Sequence, residues 1–283
     1  TIIALMPIAA GLAERTEMTL PIVAAAVVGG AFFGDNLSFI SDTTIVSTQS
    51  QGCKLSDKFR FNIRMVLPVA IIAGLIYIFL GSEATEVVAP QTIPFWKVIP
   101  YLTVLVCAAI GMNVLVVLVI ANLLTCITGI IGGSYDFMGW ITSTLDGVMG
   151  MSELILISML AGGIFAMISH NKGMDFIIER ITSRVKHRWG AELSICLLVA
   201  FANICTANNT IAILSVGDIS RRISERFGID PRRSASLLDT TSCCVQGLLP
   251  YGAQLLMASG LAGISAMSIV PYLYYPALLG IAV

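Results

Sequence analysis

The chain has 283 residues, of which 57% are hydrophobic and 12% charged, with a formal net charge of −1. A soluble domain carries about 25% charged residues, so a water-soluble fold is excluded, and the near-zero balance gives a polyanion such as nucleic acid nothing to bind. Seven cysteines without a Cys-x-x-Cys spacing lie mostly in apolar runs and read as small packing residues. The two histidines, His170 and His187, fall in polar, basic sequence, so neither a metal site nor a cofactor is expected.

In chain order, residues 1–21 ("TIIALMPIAAGLAERTEMTLP") read as an apolar arm followed by a net-acidic connector, Glu14 to Glu17. An apolar run then enters "GDNLSFISDTT", Gly34 to Thr44, where two aspartates and several hydroxyls interrupt it. A carboxylate in the hydrocarbon core costs several kcal/mol (about 2.5–3.5 on insertion scales) unless paired, hydrated or protonated. The next basic residue after Asp42 is Lys54, so at least one aspartate is expected to lie deep. Capping of helices at the membrane surface is the alternative role for Asp35 and Asp42.

Lys54, Lys58, Arg60 and Arg64 form a first basic loop, and Met65 to Leu80 is a spanning run. Glu83 and Glu86 mark an acidic loop. Residues 98–135 carry no charge across 38 positions, enough for two crossings of roughly 20 residues each, with Gly111-Met112-Asn113 as the inner turn. Asp136, Asp146 and Glu153 mark a second acidic loop, and Leu154 to Ser169 is another crossing. Basic segments at 172–188 and 221–233 follow. The positive-inside rule puts the basic loops 54–64, 172–188 and 221–233 in the cytoplasm.

Leu193 to Gly217 is uncharged yet flanked by basic segments on both sides. A re-entrant hairpin turning at Thr206 to Asn209 satisfies that parity, and irregular backbone at membrane depth is tolerated where it lines a cavity. A single helix with a polar stripe is the alternative. Asn203, Thr206, Asn208 and Asn209 at the tip are candidate ligands, because polar side chains in an apolar run need partners. Ser234 to Leu261 crosses next and contains Asp239 and "QGLLPYGAQ", Gln246 to Gln254. Gly247, Pro250 and Gly252 break helical hydrogen bonding there, which adds Gln246 and Tyr251, with Gln254, as candidates. For Asp239 a capping or interfacial role competes with a buried one. Gly263 to Val283 is expected to return as one helix.

Residues 1–21 lie over 210–231 in order of features, and "SFISDTT" (38–44) lies over "GLLPYGA" (247–253). The earlier connector is acidic and the later one basic, so the two units run in opposite senses, as in inverted-repeat transporters whose sites sit near the midplane. The expected organisation is residues 1–82 as the later part of repeat 1 and residues 83–283 as repeat 2. Repeat 2 holds three spanning helices, an interfacial linker, the hairpin 193–217, the broken helix 234–261 and a final helix. By symmetry the chain is a segment of a longer one, with about 100 residues or more before it.

Asp35 and Asp42 with Ser38, Ser41, Thr43 and Thr44 make a hard-oxygen environment suited to Na⁺. A desolvated carboxylate there would take either Na⁺ or H⁺. The leading expectation is an all-α polytopic Na⁺/H⁺ antiporter, with a cation-coupled carrier of an organic anion or amino acid as the second. An intramembrane aspartyl protease is a remote third. Phe32-Phe33-Gly34-Asp35 lacks the first glycine of a Gly-x-Gly-Asp, and Tyr135-Asp136 falls in an expected external loop. The expected partners are the lipid bilayer, a small cation and a small organic solute. Oligomeric state stays open, a homodimer included.

"GAFFGDNLSFISDTT" (30–44) resembles a signature of the NhaC-type sodium/proton antiporter family, and residues 228–253 resemble its second signature. That pattern has an acidic pair where Leu238-Asp239 stands and Pro-Trp-Asn where Pro250-Tyr251-Gly252 stands. The resemblance implies a bacterial cytoplasmic-membrane protein with two inverted repeats, each with a hairpin and a broken helix, moving as an elevator. It also implies a site at Asp35, Ser38, Ser41, Asp42 and Thr43, joined by Asp239 and the tip around Asn208.

Overall fold

The computed structural model describes residues 2–16, 18–38, 41–81, 98–109, 112, 114–150, 152–173, 176, 180 and 187–283. Glu17 of the first connector, the acidic loop at Glu83 and Glu86, the turn residues Gly111 and Asn113, and residues 181–186 of the second basic segment lie outside them. Every regular element among the described residues is helical.

Prolines and glycines set the boundaries of the first half. Helix α1 covers Ile2–Thr16, and α2 (Leu20–Leu37) opens with Pro21 in its first turn, where the missing N–H is not needed. The backbone is extended at Ser38 (φ −82°, ψ 145°) and at Ser41 (φ −69°, ψ 136°). Helix α3 resumes at Asp42–Gln51 and ends on Gly52, whose left-handed φ of 69° suits glycine. Helix α4 runs over Leu55–Gly81, 27 residues or about 40 Å, long enough to cross a bilayer.

The first basic segment is therefore not a loop. Lys58, Arg60 and Arg64 lie on the opening turns of α4, and Lys58 is fully buried. Lys58, Asn62, Val66, Val69 and Ala73 form the buried face, while Ile71, Leu75, Ile78 and Phe79 point outward as a lipid-facing surface requires.

Next come α5 (Ile99–Ala109), α6 (Val114–Ile131), α7 (Phe137–Gly150) and α8 (Ser152–His170). Helices α5 and α6 pack together, but α5 has 11 residues, fewer than the roughly 20 of one crossing. The expected acidic loop is instead largely helix α7, and Asp136 caps it by accepting the Gly139 N–H at 2.7 Å.

The hairpin is α9 (Arg188–Thr206) and α10 (Asn209–Phe227), joined through Ala207 and Asn208. Arg221, Arg222 and Arg226 sit on the last turns of α10, which shortens the third basic connector to Gly228, Ile229 and Asp230. Helix α11 (Pro231–Leu248) also opens on proline, breaks at Leu249 to Gly252, and continues as α12 (Ala253–Ala262). The final run is not one helix: α13 (Ala266–Ile269) passes through a 3₁₀ turn at Val270–Tyr272 into α14 (Tyr274–Ala282). Gly263 in the left-handed region and Pro271 interrupt it, and the chain bends by 102° between Pro231–Ala262 and Ala266–Tyr272.

The two broken helices match in plan. Each has an 18-residue first half opened by proline, a four-residue interruption and a 10-residue second half closed by a left-handed glycine. By length and apolar character the described residues hold three membrane spans, Leu20–Gln51, Leu55–Gly81 and Arg188–Thr206, or four if the bent pair is one span.

Two apolar cores hold these parts together. One packs Val28 and Phe32 of α2 against Val66 of α4, Leu255 of α12 and Leu279 of α14. The other packs Ile195 and Leu198 of α9 against Ile213 and Val216 of α10 and Leu237 of α11. A polar seam joins α3, α10 and α11. Gln51 donates to the Gly217 carbonyl at 2.9 Å, and Ser234 donates to Gln51 Oε1 at 2.8 Å. Ser224 donates to Ser234 at 2.8 Å.

Candidate functional site

Three interruptions meet at one place. The α2–α3 break brings Asp35, Ser41, Asp42 and Thr43; the hairpin tip brings Ala207 to Thr210; the α11–α12 break brings Gln246, Ala253 and Gln254. Together they line a cavity of 390 Å³, with no lysine or arginine among the described residues of its lining. The matching plan of the broken helices shows in the lining. Asp35 and Gln246 are each third from the end of their first half, and Thr43 and Gln254 are each second in their second half.

Local hydrogen bonds explain why the first break holds its shape. Four carbonyls at a helix end lack partners within the helix. In α2 the Thr44 hydroxyl donates to the Asp35 carbonyl (3.1 Å), Asn62 to the Asn36 carbonyl (3.2 Å) and Asn36 to the Phe32 carbonyl (2.9 Å). Ser41 donates to the Asp35 carboxylate at 3.2 Å and lies 3.1 Å from the Thr43 hydroxyl. Asp42, first residue of α3, is open to the cavity.

The tip turns because Ala207 adopts a left-handed conformation (φ 47°) and its N–H closes onto the Asn203 carbonyl at 2.8 Å. Asn208 caps α10 by accepting the Ile211 N–H at 3.1 Å. The tip is then fastened to α11: Gln246 donates to the Ala207 carbonyl (2.8 Å) and to Gln254 Oε1 (3.0 Å). Asn203 donates to the Ser242 carbonyl at 2.7 Å.

Asp35, Ser41, Asp42, Thr43, Asn208, Asn209 and Gln246 of the expected set thus share one cavity, and the others stand around it. Ser38 ends α2 outside the lining. Thr206 is buried and bonded to the Asn208 main chain, which steadies the tip. Asn203 fastens α9 to α11. The Tyr251 hydroxyl donates to the Ile204 carbonyl at 2.9 Å, on a separate 490 Å³ cavity.

Asp239 is fully buried, not interfacial, and forms an ion pair with Lys58. Lys58 also donates to Thr44 at 2.7 Å, and Asn62 donates to Asp239 at 3.3 Å. Lys58, Asn36 and Asn62 did not stand out in the sequence as site residues. The signal was present: Lys58 and Asn62 continue the helical stripe of Val66, Val69 and Ala73, which puts both on the buried face of α4.

The chemistry of the cavity is that of hard oxygen and negative charge. It offers two carboxylates and three hydroxyl-bearing residues, Ser41, Thr43 and Thr210. The amide oxygens of Asn209 and Gln246 are buried without a partner. Among the described residues no cluster of three or more His, Cys, Asp or Glu could hold a metal ion.

A helical multi-pass membrane protein with broken helices around a polar cavity belongs to the class of membrane transporters. The profile of the Na⁺/H⁺ antiporter family matches residues 1–82 and 83–283, and the chain belongs to that family. It is 21% identical over 288 residues to the Na⁺/H⁺ antiporter NhaC of Alkalihalophilus pseudofirmus, covering 90% of this chain and 62% of that one. It is 20% identical over 293 residues to the malate-2H⁺/Na⁺-lactate antiporter of Bacillus subtilis, covering 92% and 63%. It is 22% identical over 319 residues to the arginine/ornithine antiporter ArcD of Halobacterium salinarum, covering 93% and 61%. No solved structure matches it significantly. The chain spans somewhat less than two thirds of the length of these relatives.

Proposed function

We propose that the protein exchanges Na⁺ for H⁺ across the cytoplasmic membrane of a bacterium, with Asp42 and Asp35 as the carboxylates that carry the ion. The observation behind this is the meeting of three chain interruptions at a cavity with two carboxylates and no basic side chain. Excess negative charge in a low-dielectric site must be neutralised. Na⁺ and H⁺ both do so at the same carboxylate, so one displaces the other. Ser41, Thr43, Asn208, Asn209 and Gln246 supply further oxygens, and Ser38, Thr206, Asn203, Asp239 and Tyr251 hold the breaks and the tip in place. No covalent step is involved, and the transporter reading replaces that of an intramembrane protease.

The two broken helices are read as an inverted pair, residues 1–82 from repeat 1 and 83–283 from repeat 2, with the re-entrant hairpin α9–α10 reaching the midplane. Their matching plan and shared lining positions support this. The basic stretches 54–64, 172–188 and 221–233 then lie on the cytoplasmic side. The hairpin and both breaks would move together against α5–α8, and a homodimer would supply a fixed frame.

Flux tests this reading. Full-length protein in proteoliposomes is expected to show Na⁺- or Li⁺-dependent proton movement, and Asp42→Asn is expected to reduce it to background. No flux in the unaltered protein sinks the proposal, and flux that survives Asp42→Asn removes the role given to that residue.

A second reading has its own support. A cavity of 390 Å³ is large for a bare cation, and the N-termini of α3, α10 and α12 all open onto it. Such termini favour a carboxylate. A small organic acid or amino acid bound beside the cation accounts for both features, and uptake of labelled lactate, malate or arginine driven by a Na⁺ gradient would show it.

A further inference from the structure

The pair formed by Lys58 and Asp239 has only a supporting task in the exchange just described. It lies one residue below the cavity: Thr43 lines the cavity, and Thr44 accepts a hydrogen bond from Lys58. Both charged side chains are sealed off, at 1% and 0% exposure. Replacing such a pair by apolar residues of similar volume is often neutral or stabilising, so stability alone does not account for its presence.

The pairing is also incomplete. Lys58 and Asn62 both donate to Asp239 Oδ2, and Asp239 Oδ1 has no partner. The carboxamide oxygens of Asn36 and Asn62 are buried and unpartnered as well. Asn62 links the other two, donating to the main-chain carbonyl of Asn36 and to Asp239 Oδ2. They come from three elements, α2, α4 and α11. Three buried acceptor oxygens without a donor, one anionic and two amide, are of the kind a hard monovalent cation takes as ligands. Buried acceptors left unmatched carry a full desolvation cost, which a bound cation would remove.

We propose that Asp239, Asn36 and Asn62 form a second alkali-cation position beneath the cavity, and that Lys58 is its built-in competitor. The Lys58 ammonium neutralises Asp239 while the position is empty. It lets go of Asp239 and keeps its hydrogen bond to Thr44 when Na⁺ or Li⁺ enters from above. The inference deepens the cation-transport reading and rests on it. It adds a second ion position and a tethered cation that sets its affinity.

The test is the thermal midpoint of the full-length protein in detergent, titrated with NaCl against choline chloride at constant ionic strength. An Asp42→Asn background silences the upper site. A tethered competitor lowers apparent affinity by the fraction of time it occupies the site. Lys58→Gln is therefore expected to lower the half-saturating Na⁺ concentration about tenfold, for a competitor that occupies the site roughly nine-tenths of the time. Adding Asp239→Asn should abolish the response. Lys58→Arg, which keeps the pair and brings a further donor for Oδ1, should raise the half-saturating concentration, and this arm stands if Lys58→Gln does not fold. An unchanged half-saturation in both variants, or an equal gain in choline chloride, overturns the proposal. The readout is binding and not flux. Absent transport with a responsive Lys58→Gln counts against the antiport reading alone, and normal transport with unresponsive variants counts against this inference alone.

Discussion

Asp230 shows how much a single polar side chain contributes outside the apolar runs. It precedes α11, accepts the Arg232 N–H at 2.8 Å, and meets the Arg232 guanidinium at 2.6–3.1 Å. Those hydrogen bonds hold its carboxyl below the usual carboxylate range. A depressed folded value means that the stabilising effect is fully present above about pH 4 and is lost as pH falls through the folded value. Asp230→Ala is expected to cost about 1 kcal/mol at neutral pH, read as a lower thermal midpoint. The difference between variant and parent should shrink under strong acid. Asp35 and Asp42 were legible in the sequence because a carboxylate inside an apolar run is conspicuous. Lys58 was not, because a lysine beside Arg60 and Arg64 resembles any cytoplasmic boundary. Its partner Asp239 lies 181 positions away, a separation that helical periodicity cannot bridge.

Elements here are defined by what interrupts them. Proline opens α2 and α11, a four-residue break divides each from its second half, and a left-handed glycine closes the second half. Gly217 marks where α10 presses on α3: a Cβ there would come within 2.7 Å of Ser50 Cβ. Gly217→Ala should push the helices apart and weaken the bond from Gln51 to the Gly217 carbonyl, at about 1–3 kcal/mol. Gly30, on α2, has nothing within 4 Å of the same construction, so Gly30→Ala should gain about 0.5–1 kcal/mol from helix propensity. Thermal midpoints moving in opposite directions would confirm both. The breaks and the hairpin turn were readable from Gly, Pro and polar residues in apolar runs. Helix α7 was not, since Asp136 and Asp146 read as loop charges when Asp136 is in fact a cap. The final segment hid its bend for a related reason: Gly263 and Pro271 stand in an unbroken apolar run.

At the scale of the molecule, the sequence order of features set residues 38–44 against 247–253. The structural breaks match two residues later, Ser38 to Ser41 against Leu249 to Gly252. Only with that shift do Asp35 and Gln246, and Thr43 and Gln254, occupy equivalent places. Low identity between the two stretches concealed the offset, because no matching side chains fix the register while the breaks do. The polar seam from Gln51 through Ser234 to Ser224 ties the hairpin to both broken helices. These parts therefore form one unit around the cavity.

The central claim is that the hairpin tip and the Asp42 break bind one cation between them. Thr210→Cys, in a full-length chain freed of its native cysteines, places a thiol on the cavity wall opposite Asp42 without touching the cap at Asn208. Its rate of modification by a small charged thiol reagent is the direct measurement. The account predicts that Na⁺ slows modification, that choline does not, and that Asp42→Asn abolishes the protection. A rate indifferent to Na⁺, or protection that persists in Asp42→Asn, would contradict it.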